Sequence, residues 1–381
     1  MTETFHLAAV GDIMLGDHPV RLGHGVRSTI EKKGNQFIFS EMGSLFSNND
    51  IVFGNLEVVH SDIGRIENRI DSVEFRGNPN SLSMLSHAGF NVLGVANNHC
   101  MEHGLACFEA SVKSVKDNKI FVSGYKEQNN LCNPYIKHIN KVKVILLSYS
   151  LRPENYYTKG EVPYSFIHEH DLINEIIRFK DQADVLILSL HWGEEFMDYP
   201  SPKQVRLAHA LIDSGVNLIL GHHPHVLQGV ERYKQGVIAY SLGNFVFDMW
   251  QRKTRESVIF KAVITKQGDI AFDSIPVFIN DGYQPVPLGK KNKKDIVLQM
   301  QNLSDKIGYM FKDIVLWTDL RLQERELEYQ KKAAHETLLH RLGNYVFFIK
   351  NFYRYKPTII FYSLKRSIKR RLSEIFKFAT P

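Results

Sequence analysis

The chain has 381 residues, of which 44% are hydrophobic and 23% charged, values typical of a globular protein that buries a substantial core. No run of about eighteen apolar residues occurs, which argues against a transmembrane helix. No basic segment precedes an apolar stretch at the N-terminus, which argues against a signal peptide. The three cysteines are too few for a disulfide framework and lack the spacing of a zinc site. We therefore expect a cytoplasmic protein with one large domain and an extension, or with two domains.

The net charge of +6 comes from the C-terminal segment. Residues 350–373 contain eight Lys or Arg and no Asp or Glu, which leaves 39 basic and 41 acidic residues elsewhere. Apolar residues recur there at every fourth position, which predicts a basic amphipathic helix carrying Ile360, Leu364, Ile368, Leu372 and Phe376. Such a helix either packs on the body of the protein or attaches it peripherally to the inner face of an anionic membrane. Because no nucleic-acid-binding fold is recognised, we expect no nucleic-acid partner.

Short apolar runs alternate with polar tips and helical stretches, a pattern that predicts an α/β layered domain ending near residue 280. The predicted strands cover residues 5–10, 51–53, 90–95, 143–147, 183–190, 216–220 and 236–240. Helices are predicted over residues 37–47, 80–88 and 203–213. Residues 257–264 and 270–279 alternate like the two strands of a β-hairpin.

The character of the sequence changes after residue 280. Residues 281–294 are rich in Pro, Gly and Lys, which predicts a linker, and residues 295–350 are predicted to be helical. We therefore divide the chain into a domain over residues 1–280, a linker over 281–294 and a helical extension over 295–381 that includes the basic tail.

Polar side chains follow the predicted strands, and this is where open α/β sheets place their chemistry. Three histidines lie between Gly221 and His225, directly after an apolar run. In chain order the strand-end residues are Asp12, Glu57, Asn98, His99, His191, His223 and His225. This mixture suits two divalent cations, because carboxylates neutralise the metal charge and imidazoles favour manganese, iron or zinc over magnesium or calcium. For the segment Gly221–His225 taken alone, the alternative is a histidine-rich turn that binds no metal.

Six motifs occur in a fixed order over residues 5 to about 250: Gly11-Asp12-Ile13-Met14-Leu15-Gly16, Gly54-Asn55-Leu56-Glu57, Ala96-Asn97-Asn98-His99, His191-Trp192-Gly193-Glu194-Glu195, Gly221-His222-His223-Pro224-His225 and Leu242-Gly243-Asn244-Phe245. With these motifs the chain resembles the CapA-like poly-γ-glutamate capsule proteins, whose domain is similar to the calcineurin-type metallophosphoesterases. The resemblance implies a four-layer α-β-β-α sandwich with two divalent metal ions between the strand tips of its two sheets.

The same resemblance implies the roles of individual residues. Its metal ligands are Asp12, Glu57, Asn98, His191, His223 and His225, and its catalytic residue is His99, near the leaving group or substrate anion. Two departures from the family pattern stand out. Met14 replaces the histidine of the first phosphoesterase motif, which leaves open whether one metal is under-coordinated or absent. Glu102 takes the place of an aspartate and keeps its charge on a longer side chain.

Other residues are candidates to support the ligands or to contact the substrate: Asn97, Glu102, Glu195, His222, Asn244 and Arg76. His222 points away from His223 on an extended backbone, so ligation and a supporting role stay open. Arg76 is a candidate clamp for a substrate anion, with a solvated loop arginine as the alternative.

These features predict a metal-dependent hydrolase, phosphoesterase-like or amide-cleaving, that acts on an anionic small molecule or polymer in capsule or cell-surface polymer biosynthesis. The alternative is a non-catalytic accessory protein, peripheral to the membrane, in the synthesis or export of a polyglutamate or polysaccharide capsule. Capsule-synthesis proteins are expected partners in that case.

Overall fold

The computed structural model describes residues 3–66, 69–127, 132–153 and 162–365, with only the main chain for residues 290–293. The described strands are, in chain order, β1 (Thr4–Ile13), β2 (Ile51–Leu56), β3 (Val59–His60), β4 (Arg76–Gly77), β5 (Val92–Gly94), β6 (Phe121–Ser123), β7 (Tyr135–Ile139), β8 (Val142–Ser150), β9 (Val185–His191), β10 (Leu218–His222), β11 (Val230–Tyr233), β12 (Gly236–Ala239), β13 (Asn244–Val246), β14 (Glu256–Thr265), β15 (Ile270–Ile279) and β16 (Pro285–Pro287). The described helices are α1 (Val26–Lys33), α2 (Ser83–Ala88), α3 (Leu105–Asp117), α4 (Glu169–Lys180), α5 (Pro202–Asp213), α6 (Lys290–Met310) and α7 (Asp319–Lys350).

The strands form two large sheets. The first has the order β16-β15-β14-β1-β2-β5-β6, with β13 also paired to β1, and the second has the order β11-β12-β10-β9-β8-β7. Strands β1, β2, β5 and β6 are mutually parallel, and so are β8, β9, β10 and β12. Because parallel strands end at the same edge, each sheet presents a row of strand ends on one side of the molecule.

The two sheets pack face to face through an apolar layer. Phe5 and Leu7 of β1 face Leu146 of β8 and Ile187 of β9 in one continuous buried cluster. Helices α1, α2 and α3 cover the outer face of the first sheet, whereas α4, α5 and α7 cover the second. The central strands, such as β2, β9 and β10, are therefore buried on both faces, which explains why their sequences are almost continuously apolar. This arrangement is the predicted four-layer α-β-β-α sandwich.

Most elements predicted from the sequence are present. The predicted hairpin corresponds to β14 and β15, the helix over residues 203–213 to α5, and the helix over residues 80–88 to a 3₁₀ turn at Pro79–Leu82 followed by α2. The helix predicted over residues 37–47 is wrong, because this segment forms successive turns. Gly43 adopts a left-handed conformation with φ of 52°, which interrupts a helix, while the spaced apolar residues Phe39, Met42 and Phe46 are still buried.

The predicted linker over residues 281–294 contains regular structure. Pro285–Pro287 form an edge strand on β15, and α6 begins at Lys290. The pairing satisfies main-chain groups that an unpaired edge of β15 would leave open. Regular structure therefore extends into the predicted linker, and the division of the chain into a domain, a linker and an extension stays a prediction.

The helical extension docks on the body. Glu326 of α7 accepts a hydrogen bond from the main-chain N–H of Lys203, in the first turn of α5, at 3.1 Å. Trp250, in the loop between β13 and β14, stacks on Phe347 of α7 and donates a hydrogen bond to Asn344 at 2.8 Å. This loop of the body therefore also contacts α7. Residues 357–365 are helical, and the rest of the predicted amphipathic helix lies outside the described residues. Among the described helices, none combines the length and apolar character that a bilayer crossing requires.

The inter-sheet layer yields a stability prediction. Replacing the fully buried Ile187 with alanine leaves a cavity between the sheets and should lower the free energy of unfolding by about 2–5 kcal/mol. Ile136→Ala, on β7 with 48% of the side chain exposed, should cost less than about 1 kcal/mol. Denaturant unfolding of both variants measures the difference, and equal losses would contradict the role assigned to this layer.

Candidate functional site

The ends of four central strands meet at one edge of the sandwich. Asp12 lies near the end of β1, Glu57 directly follows β2, and His191 ends β9. His222 ends β10 and is the register partner of His191. The parallel order of the strands therefore collects residues that are up to about 210 positions apart in sequence.

Two motif glycines allow this close approach of the backbone. A Cβ atom on Gly11 would lie 1.9 Å from the carbonyl oxygen of Gly243, and one on Gly221 would lie 1.9 Å from that of Tyr240. Both distances are far inside van der Waals contact, so any side chain would push the strand ends apart. The glycines before Asp12 and His222 are thus required for the geometry of the site.

The predicted ligands form one contiguous buried cluster. His225 lies 3.6 Å from Asp12 Oδ2 through its Nδ1 and 3.4 Å from Glu57 Oε1 through its Nε2. His191 Nε2 lies 2.7 Å from Asn98 Oδ1, and the rings of His191 and His223 are 4.8 Å apart. The structure therefore brings together all six residues that the sequence assigned as ligands, and their roles stay a prediction.

Two groups of three donors within this cluster could hold a metal ion. One consists of Asp12, Glu57 and His225, the other of Glu195, His223 and His225, and within each group the donor atoms lie within 4.8 Å of one another. Neither oxygen of Glu57 and neither ring nitrogen of His223 has a hydrogen-bond partner among the described residues. Buried polar atoms without partners are costly. The donor set, with its orphaned carboxylate and imidazole, therefore fits a divalent cation.

The backbone of the histidine loop is strained. His223 has φ of 96° and His225 has φ of 58°, a left-handed region that costs a residue with a side chain about 1–3 kcal/mol. Both side chains are buried in the cluster. Strain of this kind persists only where surrounding contacts impose it, which is typical of functional sites.

Charges within the cluster shift its pKa values in opposite directions. Burial alone would raise the pKa of Asp12, but the hydrogen bond and charge of His222 outweigh burial and hold the pKa well below its usual value. Burial, followed by the charges of Asp12 and Glu195, raises the pKa of Glu57 well above its usual value. Burial also lowers the pKa values of His191 and His223, which favours the neutral imidazole that binds metals.

Asn244 orients His225. Its Oδ1 lies 2.9 Å from His225 Nδ1, while its Nδ2 donates to the carbonyl oxygen of Thr254 at 2.9 Å. Because the amide nitrogen is used by a carbonyl, Oδ1 must accept, and Nδ1 of His225 must donate. The lone pair of His225 is then on Nε2, the nitrogen that faces Glu57. Asn244 is therefore positioned to support His225, and the roles of both residues stay predictions.

Three further predicted residues lie beside the cluster. Glu102 Oε1 lies 2.6 Å from His99 Nδ1, so the longer acid still reaches this histidine. Asn97 accepts from the main-chain N–H of His99 and donates to the carbonyl oxygen of Leu56, which ties together the loops after β2 and β5. His222 Nδ1 lies 3.3 Å from Asp12 Oδ1, so its position fits either of the two roles left open.

Arg76 and Met14 do not supply groups to the cluster. The guanidinium of Arg76 donates to the carbonyl oxygens of Ser61, Ile63 and Ser72, and burial lowers its pKa. It therefore braces the loop after β3, which argues against the predicted anion clamp. Met14 is fully buried, and its sulfur accepts from the main-chain N–H of Gly16.

Four residues near the cluster were missed by the sequence analysis. Asn55 donates to Asp12 Oδ1 at 2.8 Å. Burial lowers the pKa of His223, and the charge of Arg152 adds to that shift. Burial also lowers the pKa values of His18 and His340, which lie close to His225. His340 of α7 stacks on Phe196 with the rings 3.9 Å apart, so the extension forms part of the wall around the site. Of these four, only Asn55 could have been found from the sequence. It is two positions before Glu57, so the two side chains point the same way on an extended backbone.

The two packed sheets and the donor cluster at their common edge define a four-layer α/β protein with a candidate metal site. The chain belongs to the bacterial capsule synthesis protein family PGA_cap, whose model matches residues 6–249.

Two curated relatives agree with this assignment. The capsule biosynthesis protein CapA of Bacillus anthracis is 31% identical over 75% of this chain and 70% of its own length. The PGA biosynthesis protein CapA of Bacillus subtilis (strain 168) is also 31% identical, over 75% of this chain and 74% of its own length. Among solved structures, a 5'-nucleotidase precursor from Thermus thermophilus is 10% identical, with a TM-score of 0.44 over 78% of this chain and 58% of that chain.

Two further acids, Asp17 and Asp248, are buried close to the cluster. Asp248 is fully buried, and its Oδ2 accepts from the main-chain N–H of His18 at 3.0 Å. Its Oδ1 has no hydrogen-bond partner in the described part of the chain. Burial, and then the charge of Asp17, raise the pKa of Asp248 to about 8. The carboxyl group of Asp248 is therefore protonated at neutral pH.

This shift predicts the pH dependence of stability. Because the pKa of Asp248 is higher in the folded than in the unfolded chain, the folded state loses stability as the pH rises from the unfolded value of 3.8 to about 8. Asp248→Asn removes this loss. The free energy of unfolding of Asp248→Asn minus that of the wild type should therefore be about 2–4 kcal/mol larger at about pH 8.5 than at about pH 5. Urea unfolding at both pH values measures it, with the exposed Asp273→Asn as control, and parallel pH profiles would contradict the protonated state.

Proposed function

We propose that the protein is a metal-dependent hydrolase acting on an anionic substrate in the biosynthesis of a capsule or another cell-surface polymer. One observation carries the proposal: a fully buried cluster of carboxylates and imidazoles in which Glu57 and His223 have no hydrogen-bond partners among the described residues. A purely structural cluster would satisfy these atoms with protein donors and acceptors.

Two divalent cations, manganese, iron or zinc, would be held by complementary parts of the cluster. Asp12 and His225 would serve one site and Asn98, His191 and His223 the other, with Glu57, whose Oε1 lies 3.4 Å from His225 Nε2, as a shared ligand. When bound, such cations polarise a phosphoryl or carbonyl oxygen and lower the pKa of a coordinated water. The neutral state of the buried imidazoles supports this assignment.

His99 is placed to handle a proton. Its Nδ1 contacts Glu102 at 2.6 Å, which fixes the ring and stabilises an imidazolium, and its Nε2 lies 3.7 Å from Glu57 Oε1. Phe75 packs on the ring at a centroid distance of 4.8 Å and restricts its rotation. His99 can therefore donate a proton to the leaving group at the edge of the cluster, with Glu102 as its positioning residue.

The substrate is an anion in this proposal. Arg152 lies on the His223 side of the cluster with a third of its side chain exposed, and it is paired with Glu194 at 2.9 Å. A cation at this rim favours a negatively charged substrate. Membership of the PGA_cap family supports a substrate from capsule biosynthesis, either a phosphate ester or a γ-glutamyl amide.

The proposal predicts the effect of two substitutions. His99→Ala should lower kcat by about 10²–10⁴, the usual contribution of a general acid, and Asp12→Asn should lower both metal content and activity. Activity is measured on a phosphomonoester, a phosphodiester and a γ-glutamyl amide with manganese or zinc. His138→Ala, exposed on β7, is the matched control and should leave turnover unchanged.

Metal analysis of the purified chain separates the hydrolase from the non-catalytic accessory protein. About two equivalents of metal per chain, with loss of stability on chelation, are expected for the hydrolase. A metal-free protein whose stability is insensitive to chelation, and activity that survives both substitutions, would favour the accessory protein. The buried Met14, which replaces a ligand of the phosphoesterase motif, is the observation that favours this second candidate.

We also propose that the C-terminal segment attaches the protein peripherally to anionic membranes. Phe361 and Leu364, in the helical residues 357–365, are 72% and 53% exposed, next to a strongly basic sequence. Deleting residues 366–381 should weaken sedimentation with phosphatidylglycerol vesicles at least about tenfold, because each basic residue near the surface contributes about 1 kcal/mol. Phosphatidylcholine vesicles are the control, and unchanged sedimentation of the deletion variant would refute membrane attachment.

A further inference from the structure

A cavity of about 430 Å³ lies between the body and the helical extension, and none of the predicted metal ligands lines it. Three arginines from distant parts of the chain line this cavity: Arg21, Arg255 and Arg354. Arg21 lies in a 3₁₀ turn that precedes α1, Arg255 precedes β14, and Arg354 follows α7. The fold thus brings three guanidinium groups to one concave site.

The positive charge of this arginine cavity is only partly compensated. Arg255 is paired with the exposed Asp281 at 2.9 Å. For Arg21 and Arg354 no carboxylate lies within ion-pair distance in the part of the chain that the structure describes. The nearest buried acid is Asp248, whose carbonyl oxygen accepts from Arg21 Nε at 3.1 Å, and the pKa of its own carboxyl group is raised by burial. At neutral pH the cavity therefore keeps an excess of about two positive charges.

His24 also lines the cavity. Both of its ring nitrogens are buried, and neither makes a hydrogen bond of good geometry to the described residues. Burial, and then the charges of Arg21 and Arg354, lower the pKa of His24 to about 4. The ring is therefore neutral at physiological pH and adds no charge to the cavity.

The walls of the cavity are held in place before any ligand binds. Tyr283 donates to the carbonyl oxygen of His24 at 2.7 Å, and Tyr355 donates to that of Val20 at 2.6 Å. The guanidinium of Arg21 lies over the ring of Phe347 at 4.1 Å, which holds this group against α7. A preorganised cluster of guanidinium groups is well suited to carboxylate or phosphate oxygens, which arginine binds in a bidentate fashion.

We propose that the arginine cavity is a second binding site, separate from the metal centre, for a ligand with two negative charges on carboxylate or phosphate oxygens. Because Arg354 and Tyr355 belong to the extension, such a ligand bridges the extension and the body. Binding therefore stabilises the docked position of α7, whose His340 forms part of the wall around the metal centre.

The test is titration calorimetry of the full-length, metal-containing protein with glutarate, a dicarboxylate, and with inorganic phosphate. We expect at least one of them to bind and to raise the melting temperature. Arg354→Gln should weaken this binding at least about tenfold, and Arg21→Gln should do the same. Arg325→Gln, an exposed arginine of α7 that pairs with Glu328, should bind as the wild type does. Preference for glutarate identifies a carboxylate ligand, and preference for phosphate identifies a phosphorylated one.

Two outcomes would overturn the proposal. The first is the absence of binding of either anion at about 10 mM to the wild type. The second is binding that is equal in the wild type, Arg354→Gln and Arg21→Gln, which would place the anion at the metal centre or on the general surface. Metal content and hydrolytic turnover without added anion should be the same in wild type and Arg354→Gln, so failure here is distinguishable from failure of the hydrolase proposal. Circular dichroism of each variant verifies folding independently.

Discussion

The burial of two carboxylates at the edge of the sandwich is the constraint on which the rest of the site depends. Removing a carboxylate from water costs several kcal/mol unless donors or cations replace the lost hydration. Asp12 is compensated by Asn55, by the main-chain N–H of His223 and by nearby imidazoles. Glu57 receives no hydrogen bond from the described residues, and its charge is disfavoured by the other acids. The close glycine contacts and the left-handed backbone of the histidine loop bring together the groups that compensate the charge of the two buried carboxylates.

Much of the site was predictable because buried strands have a simple sequence signature. A strand covered on both faces must be short and apolar, so the first polar residue after it marks the edge of the sheet. This rule located Asp12 and His191 directly, and it located the segments that contain Glu57 and His223, before any tertiary information was used. The hairpin of β14 and β15 was predictable for a related reason, since alternation continues on both sides of a short polar turn.

The features that the sequence did not reveal depend on contacts between distant segments. Residues 37–47 have apolar side chains at helical spacing, yet Gly43 turns the chain and the same side chains are buried without a helix. His340 approaches the candidate metal site only because α7 docks beside Phe196, 144 positions earlier in the chain. An arginine such as Arg76 can bind a substrate anion, but here its guanidinium donates to carbonyl oxygens of the loop after β3. No local sequence pattern specifies the path of that loop.

The position of His225 has a consequence for metal loading. This residue belongs to both donor groups, yet Asn244 occupies its Nδ1, so a single nitrogen is left for coordination. In the proposed two-metal site, His225 could therefore bind only one cation, and a second cation would be coordinated by His191, Asn98 and His223. The two positions would then be inequivalent, so that metal occupancy should rise in two steps of different affinity.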